Sequence, residues 1–450
     1  MREIILMEKL GSELVARAAR AVRSVASAIP RRDNMEQELV DAEVAQQRGH
    51  FLPDENERLC EIFARYLSAR GILLEVVASI EPILDQLPDG TNQNNESEWQ
   101  CCMRTYIIGF TAAAMLVRSA TYMVSLAQNR SVVWKKLDEA EPRFGIPVKS
   151  FTMVYKNLGS ARRMYRFHEA MTFYEVHRDD IKALSDDPLV GELVHILAHE
   201  EQFFETRKRK YLQKKWGYRR HSFKRRHISG YKKVMFHLFK LSGSAIAEMK
   251  QPFVKPKGQG KRVTKTTLDA LRPMLMAGDV IITRHDDALS NLFLPGFWPH
   301  AALYLGEQQE RDMLGVVLAD RDNRCLEAAQ FLEAKKDGVL VRPFEETLLV
   351  DAFMVIRPRL EHKQRAQALN RALTHEGKLY DFMFDFRKAD RLACTEVIYR
   401  SYHGIGPITF ELRKHTGKLC LSAEDLIAQA LDSGHFEKVV EFGVDTNVLT

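Results

Sequence analysis

Cysteine is scarce in this chain: six in 450 residues, at positions 60, 101, 102, 325, 394 and 420, with no Cys-x-x-Cys pair. That spacing excludes a secreted disulfide framework and a zinc ribbon. Long apolar runs are missing too. The most apolar stretch, residues 106–117, ends at Arg104 and Arg118, short of the ~20 residues a spanning helix needs, and so reads as a buried core helix. Near the N-terminus, Ile4-Ile5-Leu6-Met7 gives way at once to Glu8 and Lys9, so no signal-peptide core forms and the expected address is cytoplasmic. There is no internal repeat. Charged residues at 28% and hydrophobic residues at 45% describe a folded chain, long enough for about two or three domains.

The net charge of +6 is mild, but its distribution is not. Residues 207–233 hold 13 Lys/Arg and no Asp or Glu, interleaved with Tyr211, Trp216, Tyr218, Phe223 and Tyr231. Extended to residue 265, the block has 20 basic residues against the single acid Glu248, so it carries +19 and the rest of the chain −13. Such a block suits an anionic membrane surface or an acidic partner, or is a solvated face. Nucleic acid is not expected, because no nucleic-acid fold signature accompanies it.

Periodicity divides the chain. Residues 1–250 read as helical: Pro53-Asp54-Glu55 opens a helix with proline and acids in its first turn, and Leu59, Ile62, Phe63, Tyr66 and Leu67 make one apolar face. Further helices are expected over 160–176 and 190–204. Residues 251–268, with Pro252, Pro256, Gly258 and Gly260, read as a linker. Residues 269–450 change to short β-like runs at 280–282, 301–305, 316–318, 339–341 and 353–356, with helices at 363–374 and 395–402. The expected fold class is α+β: an all-helical region followed by an antiparallel sheet with packed helices.

Three segments of the second region carry chemistry. Gly278-Asp279 leads into a strand. Trp298-Pro299-His300 puts a histidine at the start of an apolar strand. Tyr380-Asp381-Phe382, then Cys394-Thr395-Glu396-Val397, puts a cysteine at the start of an amphipathic helix, where the helix N-terminus favours the thiolate. A Cys–His pair so placed suits nucleophilic thiol catalysis. A third polar group must orient the imidazole, and Glu327 in Leu326-Glu327-Ala328 is the candidate, with Asp320 and Asp322 as rivals.

On these motifs the sequence resembles the circularly permuted NlpC/P60 superfamily of papain-like cysteine hydrolases, in its YiiX/YebB-like branch, over roughly residues 272–435. Histidine preceding cysteine by 94 residues is the permuted order. The resemblance implies Cys394 as nucleophile, His300 as general base and Glu327 as its orienting residue. It implies a substrate with an amide or ester bond, peptide, cell-wall or lipid-linked, and no cofactor. Trp298, Tyr380 and Asp381 are candidates for lining the substrate site, and Tyr380 and Asp381 alternatively brace a turn. Cys325 reads as core filler. Hydrolysis and acyl transfer to an amine or hydroxyl share these residues, so an acyltransferase is the alternative, and a non-catalytic membrane- or partner-binding protein the third. His195 and His199 have a metal-ligand spacing, but Ile196 stands where a zincin needs glutamate, so no metal is expected.

Overall fold

The sheet that carries His300 is assembled from strands far apart in sequence. In the computed structural model the described residues are 2–29, 36–80, 96–217, 261–285, 297–318, 329–384, 386–387, 389–415 and 418–444. The chain divides into two units, Met1–Pro142 with Ile146–Lys250 and Arg143–Gly145 with Gln251–Thr450.

The described part of the first unit is helical. Helices Pro53–Ser79 and Glu96–Ala127 pack on each other. Phe110 stacks among Tyr106, Phe167, Tyr174 and Phe204, with ring centroids 5.2–6.0 Å away, as three- and four-residue spacing on facing helices requires. The buried Tyr106 hydroxyl donates to the Ala170 carbonyl at 2.8 Å. The apolar helix is longer than the run at 106–117 suggests. By length and composition Trp99–Ala127 could cross a membrane, yet 78% of its most apolar window is buried inside the unit. The expected helix over 190–204 is two, Gly191–His199 and Glu201–Gly217. They separate at Glu200, which is buried and ion-paired to Arg118 at 3.0 Å. His195 and His199 are both exposed. Most of the basic block, residues 218–260, lies outside the described residues.

The second unit holds strands β1 (Val280–Arg284), β2 (His300–Tyr304), β3 (Ala329–Lys335), β4 (Gly338–Pro343), β5 (Ala352–Pro358), β6 (Leu379–Tyr380), β7 (Arg391–Leu392), β8 (Arg413–His415), β9 (Lys418–Cys420) and β10 (Phe436–Phe442). Six form one antiparallel sheet in the order β10-β5-β1-β2-β3-β4. In β1 and β5 residues of both parities are buried, so the sheet is covered on both faces. The fold is α+β, as the sequence predicts.

Two expectations need correcting here. Residues 316–318 are not a strand: Gly315, at φ +64°, ends the helix Gln308–Leu314, and the Val316 N–H returns to the Arg311 carbonyl. The segment read as a linker ends inside the fold. Val263 and Leu268 are buried in the core with Ile281, Tyr304 and Phe331, and Thr264 caps the helix Lys265–Leu271. Apolar burial resumes at Val263, directly after the proline- and glycine-containing residues 252–260.

Candidate active site

Cys394 is the first residue of the helix Cys394–Tyr402 and is buried. The two-residue strand β7 delivers it, paired in parallel with β6 so that Tyr380 lies opposite Leu392. Ala393 is extended at ψ 165°, which turns the chain into the helix. The helix packs against β2 and β3. Its far end is tied down by Tyr402, whose hydroxyl donates to the Gly278 carbonyl at 2.5 Å. Gly278 sits at φ +96°, and a β-carbon there would lie 3.1 Å from the Arg365 side chain, so glycine suits both the conformation and the space. Asp279 accepts from Arg357 at 2.7 and 2.8 Å and from the Met276 N–H at 2.8 Å. The Gly278-Asp279 motif is therefore a brace rather than chemistry.

The thiol meets its partners at the start of β2. Cys394 Sγ lies 3.9 Å from the Pro299 carbonyl oxygen. His300 and the backbone N–H groups of Ala301 and Thr395 hydrogen-bond to the sulfur. Burial opposes ionisation, but the charge and hydrogen bond of His300 and the two N–H groups outweigh it, so the thiol is held below its ordinary range. The Tyr380 hydroxyl also hydrogen-bonds the thiol, and burial followed by the thiolate charge keeps that phenol well above its usual range.

The other imidazole nitrogen has a carboxylate. His300 Nε2 is 2.7 Å from Glu333 Oε2, which leaves Nδ1 to Cys394. Burial works against the imidazolium, but the thiolate and Glu333 raise His300 to about 9. Glu333 is fully buried. Its Oε1 is 2.6 Å from Lys335 Nζ and 3.2 Å from Arg342 Nε, and it accepts from the Thr347 hydroxyl at 3.0 Å. Burial would raise its pKa, yet Lys335, His300 and Arg342 hold it well below the usual carboxylate range. Arg342 is itself shared with Asp337 and Glu346.

Glu327 lies outside the described residues; the carboxylate on His300 is Glu333, six residues further on. The reason is pairing. Ala302 on β2 lies opposite Glu333 on β3, and strand alternation puts His300, two residues before Ala302, on the same face and one diagonal step away. A Glu inside Phe331-Leu332-Glu333-Ala334 was the available signal: one acid in an apolar strand, flanked by Lys335 and Lys336. It becomes readable only once β3 is known to neighbour β2.

The remaining candidates separate. Asp381 braces the turn, accepting the Met383 N–H at 2.8 Å. Trp298 is buried, stands edge-on to Phe297 at 4.8 Å, and shares Glu424 Oε1 with it through their backbone N–H groups. It is a fixed wall two residues from His300. Glu396, also unanticipated, is fully buried one turn into the Cys394 helix. It accepts from Arg400 at 2.8 Å and from the Ala393 N–H at 3.3 Å, and burial, reinforced by Asp381, raises it to about 7 against those donors. Cys325 lies outside the described residues. Among the described residues no group of three or more His, Cys, Asp or Glu could hold a metal ion.

Residues 274–440 match the family of permuted papain-like amidases, the YaeF/YiiX or C92 family. The expected resemblance named the same YiiX relatives under NlpC/P60. Searches of curated proteins and of solved structures found no match. The matched segment contains Cys394, His300 and Glu333. It resembles amidases, hence thiol hydrolases acting on an amide, and gives no support to acyl transfer.

Proposed function

We propose that the second unit is a cysteine amidase in which Cys394 is the nucleophile, His300 the general base and acid, and Glu333 the residue that orients and charges the imidazole. One observation carries the reading: a thiol at a helix N-terminus hydrogen-bonded to an imidazole whose far nitrogen is held by a buried, ionised carboxylate. The resting pair is thiolate and imidazolium. The thiolate attacks the amide carbonyl carbon and the carbonyl π electrons move to oxygen. The N–H of Cys394, in the first helical position and so without a partner inside the helix, then donates to that oxyanion. On collapse the C–N bond breaks and His300 protonates the departing amine. A thioester remains at Cys394. Neutral His300 then takes a proton from water, the hydroxide releases the acid, and the thiolate returns.

Mass spectrometry of the full chain mixed with an activated amide or ester tests this. The expected result is an acyl adduct on the peptide containing Cys394, absent from Cys394→Ala. An adduct on another cysteine, or turnover unchanged in Cys394→Ala, overturns it.

A further inference from the structure

The helical unit contains a cavity that the amidase reading does not use. Helices Pro53–Ser79, Glu96–Ala127, Ser150–Gly159, Ala161–Val176 and Glu201–Gly217 all contribute to it, and its empty space, open solvent included, is about 770 Å³. Most of its wall is apolar, with Leu74, Val77, Ala113, Leu116, Phe167 and Met171 on it. Against that wall stand three guanidinium groups, Arg70, Arg163 and Arg207, and the amide of Asn157, and no carboxylate lines it.

Arg70 is only 6% exposed and its Nε has no acceptor; Asn157 is 9% exposed and its Nδ2 has none. A buried guanidinium is ordinarily matched by a carboxylate, because desolvating an uncompensated charge is costly. The buried Arg342 obeys that rule, paired with Asp337, Glu333 and Glu346. Arg207 sits where burial pulls its pKa below the ordinary arginine value. Cationic and amide donors set in the wall of an apolar hollow complement a molecule with an anionic head and a hydrocarbon tail.

We propose that this cavity binds a single-chain amphiphile with an anionic head, the head on Arg70 and Arg207 and the tail along Leu74, Leu116 and Phe167. A carboxylate from a free fatty acid and a phosphate from a lysophospholipid offer the same chemistry to the guanidinium groups. Calorimetric titration of the full chain distinguishes them, using laurate, lauroyl lysophosphatidate and dodecanol, each below its micelle concentration.

Saturable binding of at least one anion is expected, with dodecanol at least tenfold weaker. The better-bound anion identifies the source of the head. Arg70→Gln is expected to weaken that anion at least tenfold while leaving dodecanol unchanged. Arg207→Gln, at a partly exposed position where folding is less at stake, is expected to weaken it about threefold or more. Binding of neither anion, equal affinity for the anions and dodecanol, or unchanged anion affinity in Arg207→Gln overturns the proposal.

Discussion

Glu333 and Arg70 are both charged side chains buried in apolar surroundings, one in each unit, and they are treated in opposite ways. Glu333 has Lys335, Arg342, Thr347 and His300 around its two oxygens. Arg70 faces a cavity with no carboxylate on its wall. A fully compensated buried charge fixes geometry, since every alternative position breaks an ion pair. An uncompensated one stores a preference for something that brings the opposite charge. The first suits a group that holds the His300 ring still. The second suits a group that receives a ligand.

The comparison can be broken at several points. The largest expected effect is at the thiol: Cys394→Ala should lower amide hydrolysis at least ~10⁴-fold, because members of a nucleophile–base unit fail together, while thermal unfolding of the helical unit stays in place. Next is Glu333→Gln, which keeps shape but removes charge. Turnover should fall about 10²-fold or more, and breaking a buried pair should cost roughly 3–5 kcal/mol in this unit.

The pH profile gives Glu333→Gln a second readout. His300 has a folded pKa of about 9, above the ordinary imidazole value of 6.5. Its ionic contribution to stability is therefore fully present below 6.5 and lost as pH rises through about 9. The alkaline limb of kcat/KM should fall near that upper value in the native enzyme and move to lower pH in Glu333→Gln. An unmoved limb would remove Glu333 from its role.

Smaller effects are expected from the other two changes. Arg70→Leu replaces an uncompensated buried cation with apolar volume, so the midpoint of the helical unit should rise by about 2–4 °C, as scanning calorimetry would show. A fall of that size would mean that Arg70 is compensated after all. Glu396, raised to about 7 from 4.5, is an acid whose folded pKa lies above its unfolded one. The native protein should lose stability through this group as pH rises from 4.5 to 7, on the order of 3 kcal/mol. Glu396→Gln should flatten that slope in pH-dependent denaturation.

How much was legible beforehand differs between parts of the site. Cys394 and His300 were readable because each sits at the boundary of a local pattern, the first residue of an amphipathic helix and the first of an apolar strand. Glu333 was not, because its meaning lies in the pairing of Ala302 with Glu333, and local periodicity carries no information about which strand neighbours which. Tyr380 was a candidate for lining the substrate site or bracing a turn, and parallel pairing of β6 with β7 puts it on the thiol. The cavity was not anticipated at all: Arg70 lies within an otherwise apolar turn, Ala69-Arg70-Gly71-Ile72, and only packed helices turn that position inward.

What the sequence determined by itself was the place of Cys394 at the start of a helix and of His300 at the start of a strand, the helical and α+β halves, and the uneven charge, all of which rest on local periodicity and composition. The tertiary structure decided which carboxylate charges the imidazole, that Gly278-Asp279 is a brace, that a helix long enough to cross a membrane is core instead, and that Arg70 is buried with no counter-charge among the described residues. Each of these depends on which residues distant in sequence share a surface, and burial and ion pairing are properties of that surface rather than of any one stretch of chain.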